Sequence, residues 1–150
     1  MSHEENGFIG SWRVTLYPDA GTDSHIVFAS LIVNGILVTS PPPVEHFPLT
    51  PGGIVYVGAG HGMWQETSTK NAALTFNAQS MDGNGDLVGV GTVSASLELG
   101  ADGQELNGRY AFEMADPQGE VLATEDGTVR FTRIVVKAAP ASTTGAQAAA

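Results

Sequence analysis

The chain has 150 residues, no cysteine, and a formal net charge of −10 from 16 acidic and 6 basic residues. That length suits one domain around one core, and the charge disfavours nucleic acid or an anionic membrane as partner, since both need Lys and Arg to displace counterions. Without cysteine, disulfides, thiolate nucleophiles and zinc–sulfur sites are excluded.

The opening MSHEENGF is acidic and has no apolar segment of the kind a secretory signal needs. No apolar run approaches the roughly 18 residues required to span a bilayer as a helix. A soluble, cytoplasmic protein is expected.

From residue 8 the apolar residues recur with period two, the mark of half-buried strands. In FIGSWRVTLY, Trp12, Val14 and Leu16 alternate with Ser11, Arg13 and Thr15. HIVFASLIV follows, then Asn34-Gly35, then ILVTS. Asn-Gly between apolar runs is a hairpin signal, because both residues tolerate positive φ. The next stretch, SPPPVEHFPLTPGG (40–53), holds five of the chain's eight prolines. It is too long and proline-rich for a simple turn, and reads either as a lid across a barrel mouth or as a surface crossover covering a sheet edge. GAGHGMWQET (58–67) reads as the fourth strand. AALTFNAQS leads to the turn MDGNGDL, and LVGVGTVSASLEL to the turn GADGQ. ELNGRYAFEM leads to DPQG, and EVLATEDGTVRFTRIVV closes the series, with a bulge expected at Asp126-Gly127. The last segment, KAAPASTTGAQAAA (137–150), is low in complexity and cannot bury enough apolar surface to offset its ordering entropy. A disordered tail is expected there, after a folded domain over 8–136.

About eight strands in sequence, with no long amphipathic helix, must close or stack to hide their edges. An eight-stranded antiparallel up-and-down β-barrel does so, and a two-sheet sandwich is the alternative. Glycines within the strands suit tight curvature or close approach of neighbouring backbones.

GSW (10–12) at the start of the first strand is a Gly-x-Trp, and in this it resembles the lipocalins and other calycins. The resemblance implies that Trp12 plugs one end of the barrel and that Arg133 or Arg130 packs over its ring. A second Gly-x-Trp, GMW (62–64), falls on the fourth strand. GHGMW, LTF and MDGNGDLVG also resemble elements of a group of small bacterial barrel proteins. Secreted lipocalins carry a signal peptide and usually disulfides, neither of which is read in this sequence; that departs from extracellular transport and leaves intracellular calycin-like barrels open. The barrels of allene oxide cyclases and some polyketide cyclases are a weaker resemblance.

Strand alternation puts His61 on the face of Met63 and opposite Trp64, so whichever of Met63 and Trp64 turns inward decides whether His61 does. An interior His61 can serve as general acid or base, with Tyr110 and Glu66 as further candidates for proton transfer. An exterior His61 is a surface residue. The apolar set Trp12, Phe28, Met63, Trp64, Phe76 and Phe112, together with Tyr110, is expected to line the interior and to hold a ligand. Polar residues such as Asn77, Gln79, Arg109 and Glu113 alternate with it and face water. Asp82, Asn84 and Asp86 are spaced like the start of a calcium loop, but Leu87 and Val93 stand where that loop needs glycine and glutamate, so a wide turn explains them better. The four histidines, His3, His25, His46 and His61, have no metal-site spacing, and no metal is expected. A nucleophile elbow and a phosphate loop are absent from the sequence, so no cofactor is expected.

Small side chains along the barrel walls leave room for a cavity. Three readings follow: a module binding a small hydrophobic or amphipathic molecule, a cofactor-free cyclase or isomerase acting on a hydrophobic biosynthetic intermediate, or a filled structural barrel. The expected partner is a small hydrophobic molecule, and a homodimer is compatible with the sequence.

Overall fold

The structure is a computed structural model and describes residues 7–21, 23–42, 44–46 and 53–140. The strands are β1 (Gly10–Pro18), β2 (His25–Ile32), β3 (Ile36–Ser40), β4 (Val44–His46), β5 (Ile54–Val57), β6 (Gly60–Ser68), β7 (Asn71–Met81), β8 (Leu87–Leu99), β9 (Glu105–Ala115) and β10 (Val121–Arg133). Eight of them, β1, β2, β3 and β6 to β10, pair in the order 7-6-3-2-1-10-9-8, and a further β7–β8 pairing closes the sheet on itself. All pairings are antiparallel. The result is a closed eight-stranded antiparallel barrel without free edges. No helix among the described residues is long and apolar enough to cross a membrane.

The described parts of the proline-rich stretch, expected either as a lid or as a surface crossover, include or adjoin short paired strands. Val44–His46 and Ile54–Val57 pair with each other, and β5 adds to β7 at Tyr56↔Met81 and Val57↔Ser80. β7 already pairs with β6 from Asn77 to Asn71. β5 therefore continues the line of β6 past a break at Gly58-Ala59, and β4 continues β3 past the prolines. Proline cannot donate to a ladder, and β3 ends at Ser40, directly before Pro41 and Pro42. Residues 47–52 lie outside the described residues.

Other turns follow local chemistry. Asn34 and Gly35 both take positive φ, 74° and 82°, in a short 3-10 turn between β2 and β3. The carboxylate of Asp82 accepts the N–H groups of Asn84 and Asp86 at 2.8 and 3.0 Å, which makes 81–86 a hairpin turn closed by its own aspartate. Asp116 does the same for Gln118 and Glu120. The bulge expected at Asp126-Gly127 is not there: both residues pair in register with Ala111 and Tyr110, and the irregularity falls at Leu122, between Val121 and Ala123. Gly127 serves packing instead, since a Cβ there would come within 2.8 Å of the Tyr110 ring. β10 ends at Arg133, residues 137–140 are exposed and outside any strand, and the rest of the expected tail, 141–150, lies outside the described residues.

The core fills one end of the barrel. Phe8, Trp12, Leu31, Leu37, Trp64, Leu97, Leu106 and Phe131 are buried there. The Trp12 ring meets Phe131 edge-on with centroids 6.1 Å apart, and Phe8 meets Trp64 at the same distance. Both indoles are satisfied: Trp12 Nε1 donates to the Phe8 carbonyl at 3.1 Å and Trp64 Nε1 to the Ile32 carbonyl at 2.9 Å. Arg133 caps this end. Its guanidinium lies 4.2 Å over the Trp12 ring, a cation–π contact, and it donates to the carbonyls of Gly103, Ile9 and Gly7. The resemblance implied either Arg133 or Arg130 in this role; Arg130 is exposed on the outer face.

A lysine cannot stack on the indole and reach three carbonyls at once, because its ammonium has no planar fork. Arg133→Lys is expected to lower the unfolding free energy by about 1–3 kcal/mol, the range for buried groups left without partners. Urea denaturation checks this, and an unchanged midpoint would show that the cap is decorative.

Candidate ligand-binding cavity

Beyond the Trp12 end the inward-facing residues become smaller. On β7 the inward series runs Leu74, Phe76, Ala78, Ser80, and on β8 it runs Leu97, Ala95, Val93, Gly91. Side chains this small do not meet across the barrel, and a cavity of about 460 Å³ opens at the end away from Trp12. Its walls include Leu16, Val27, Phe76, Val93, Phe112 and Met114, and the prolonged hairpin contributes Pro41, Val55 and Val57 to its rim. Between this cavity and the packed end lies a void of about 20 Å³ that shares Leu16, Val27, Phe76, Val93 and Tyr110 with it.

The polar residues lining the cavity are Asp23, His25, Glu45, Ser80, Tyr110 and Glu125; Ser80 and Tyr110 are buried, and the other four are exposed or half-buried toward its open end. The Tyr110 hydroxyl donates to Glu125 Oε2 at 2.7 Å. Burial, and then the Glu125 carboxylate, push the phenol well above its ordinary pKa, so Tyr110 stays protonated and acts as a donor. Glu45 Oε1 stands 3.6 Å from His25 Nδ1. Burial raises the Glu45 carboxyl above its usual range, His25 opposes that rise, and the Glu125 charge adds to it. Deeper in, the Thr39 hydroxyl is buried on an inward-facing position beside the small void and makes no hydrogen bond.

The expected site residues divide into three groups. Tyr110, Phe76 and Phe112 line the cavity. Trp12 and Trp64 face inward but belong to the packed end and do not line the cavity. His61, Met63, Phe28 and Glu66 do not reach the interior. Trp64 is 7% exposed and Met63 59%, so Trp64 is the residue that turns inward, and His61, on the Met63 face, looks outward between Val38 and Asn77. Gly62 enforces this choice, because a Cβ there would sit 1.9 Å from the Thr75 carbonyl oxygen. Phe28 is 49% exposed because Val27 and Ala29 take the inward positions of β2. Glu66 is exposed near the packed end, beside Trp64 and Val33. Among the described residues no group of three potential ligands is placed to hold a metal ion; His3 lies outside them.

Sequence reasoning missed Glu125, His25 and Glu45. Glu125 was within reach, since it lies at two-residue intervals from Val129 and Phe131 and so shares their inward face. His25 shares the face of Val27 and Ala29, but Ile26 and Phe28 make the other face equally apolar. Glu45 sits in the proline-rich stretch, where alternation gives no guide.

Two expectations follow. A glutamate whose folded pKa lies above its unfolded value of 4.5 favours folding while protonated, and that contribution is lost as pH rises through the folded pKa. Glu45→Gln is therefore expected to match the wild type below pH 4.5 and to melt higher than it at neutral pH, as followed by thermal denaturation across pH. Thr39→Val replaces a buried hydroxyl without a partner by a methyl of the same shape. It is expected to stabilise the ligand-free protein by about 1 kcal/mol, read by urea denaturation, and a loss instead would mean that the hydroxyl has a bonded partner in solution.

The chain matches no known protein-family model, no curated protein and no solved structure.

Proposed function

We propose that the barrel binds a small hydrophobic or amphipathic molecule in its open half, as a calycin-like binding module. The observation that carries this reading is the cavity of about 460 Å³, which falls within the roughly 300–1,000 Å³ common for small-molecule sites. Apolar walls supply affinity by area burial, and a few polar groups at one end supply orientation. The stacking of Arg133 on Trp12 supports the likeness to lipocalins, since it is the contact that resemblance implies. A filled barrel is disfavoured by the same cavity.

A second reading, a cofactor-free cyclase or isomerase, draws on one specific feature. The Tyr110–Glu125 hydrogen bond sits against an apolar cavity, where a proton donor and a carboxylate can act on a substrate folded by the walls and shielded from water. Conversion of a bound compound, slowed more than tenfold by Tyr110→Phe, would favour this reading over simple binding.

Ala78 lines the cavity, and a larger side chain there fills it. N-phenyl-1-naphthylamine, a neutral probe that fluoresces in apolar surroundings, is expected to bind the wild type and to lose at least tenfold in affinity in Ala78→Phe. Ala78→Leu, which fills less, is expected to fall between them. Melting curves of both variants establish that they fold. Equal probe binding by the wild type and a folded Ala78→Phe would overturn the cavity reading.

A further inference from the structure

Resting on that reading of the cavity, we propose that the molecule held there carries a protonated amine, received by the carboxylates of Glu45 and Glu125 at the cavity's open end. The polar lining is one-sided in charge. Asp23, Glu45 and Glu125 contribute to it, from the segment before β2, from β4 and from β10, while among the described residues no lysine or arginine does and His25 is the one lining group able to carry a positive charge. Three separate parts of the chain thus bring acidic groups to one apolar cavity.

These carboxylates are incompletely satisfied. Glu125 Oε2 accepts the Tyr110 hydroxyl, and Glu45 has His25 at 3.6 Å, beyond hydrogen-bonding length. The charged groups that act on Glu45 are His25 from β2 and Glu125 from β10. Burial, above all, raises the Glu45 carboxyl, His25 offsets part of that rise, and the Glu125 charge adds to it. An ammonium group placed between the two carboxylates reverses that balance, gaining charge-assisted hydrogen bonds in a setting drier than bulk water. A hydroxyl gains little there, and a carboxylate is repelled. Phe76, Phe112 and the Tyr110 ring offer aromatic surface to the carbon skeleton next to the charge.

Deeper in, the Thr39 hydroxyl is 3% exposed and has no hydrogen-bond partner among the described residues. It lines the void of about 20 Å³, which shares five lining residues with the cavity.

The test compares three naphthalene probes of one shape: 2-(naphthalen-1-yl)ethylammonium, the corresponding alcohol, and naphthalen-1-ylacetate. Affinities are measured by fluorescence titration of the full chain in 150 mM salt, which screens the field of the chain's overall negative charge. The ammonium probe is expected to bind at least tenfold more tightly than the alcohol, and the acetate more weakly than both. Glu45→Gln and Glu125→Gln, near-isosteric changes, are each expected to erase most of the ammonium's advantage and to leave the alcohol unaffected. Glu113→Gln, on the exposed outer face of β9, is expected to change nothing. Equal binding of ammonium and alcohol to the wild type, or an effect of Glu113→Gln as large as that of Glu45→Gln, overturns the amine assignment while the cavity reading stands. If no probe binds, or if all bind a folded Ala78→Phe as well as the wild type, the cavity reading fails and the amine with it.

Discussion

A guanidinium stacked on an indole holds one end of this barrel shut, and the open end exists because that closure is secure. Arg133 binds the carbonyls of the N-terminal segment and of the β8–β9 turn while covering Trp12. It thereby joins the last strand to the segment that leads into the first strand and to the turn of the neighbouring hairpin. The large side chains that the barrel needs for a core are concentrated under this cap. Beyond it the interior mixes alanine, serine and glycine with Phe76, Tyr110 and Phe112, and a smaller cluster around Val55 and Met114 packs there.

The same division governs electrostatics. The packed end holds its polar groups in fixed partnerships, indole to carbonyl and guanidinium to carbonyl. The open end holds acidic groups whose partnerships are partial. Burying charge that is not fully paired costs stability, and such groups gather where a fold is used rather than where it is held together. The interrupted strands add to this arrangement. β4, which follows the break after β3, contributes Glu45 to the cavity lining that Glu125 shares from β10.

How much of this was readable depended on contrast between the two faces of each strand. β9 alternates Tyr110, Phe112 and Met114 with Arg109 and Glu113, so its inward face was plain, and the eight-stranded closure followed from several such strands joined by turn residues. β2 is apolar on both faces, and Phe28 was placed inside for that reason. In GHGMW, Met63 and Trp64 are adjacent and both apolar, and only the packing of Gly62 against β7 decides between them. His61 went with that uncertainty. The carboxylates were harder still, because an inward glutamate looks like an error in an apolar pattern until the cavity beside it is seen.

The outer wall has a consequence of its own. Ile26, Phe28, Ile32, Ile36 and Met63 form an exposed apolar stripe across β2, β3 and β6, with Ile32 opposite Ile36 and Ile36 opposite Met63. Such a stripe draws molecules together, while a formal charge of −10 drives them apart. The two effects are set by different variables: the attraction persists in salt and acid, whereas the repulsion fades in both. With an isoelectric point near 4.5, the colloidal behaviour of the protein is therefore governed by its solvent more than by its fold, and mildly acidic, salty conditions are those in which its stock solutions turn cloudy first.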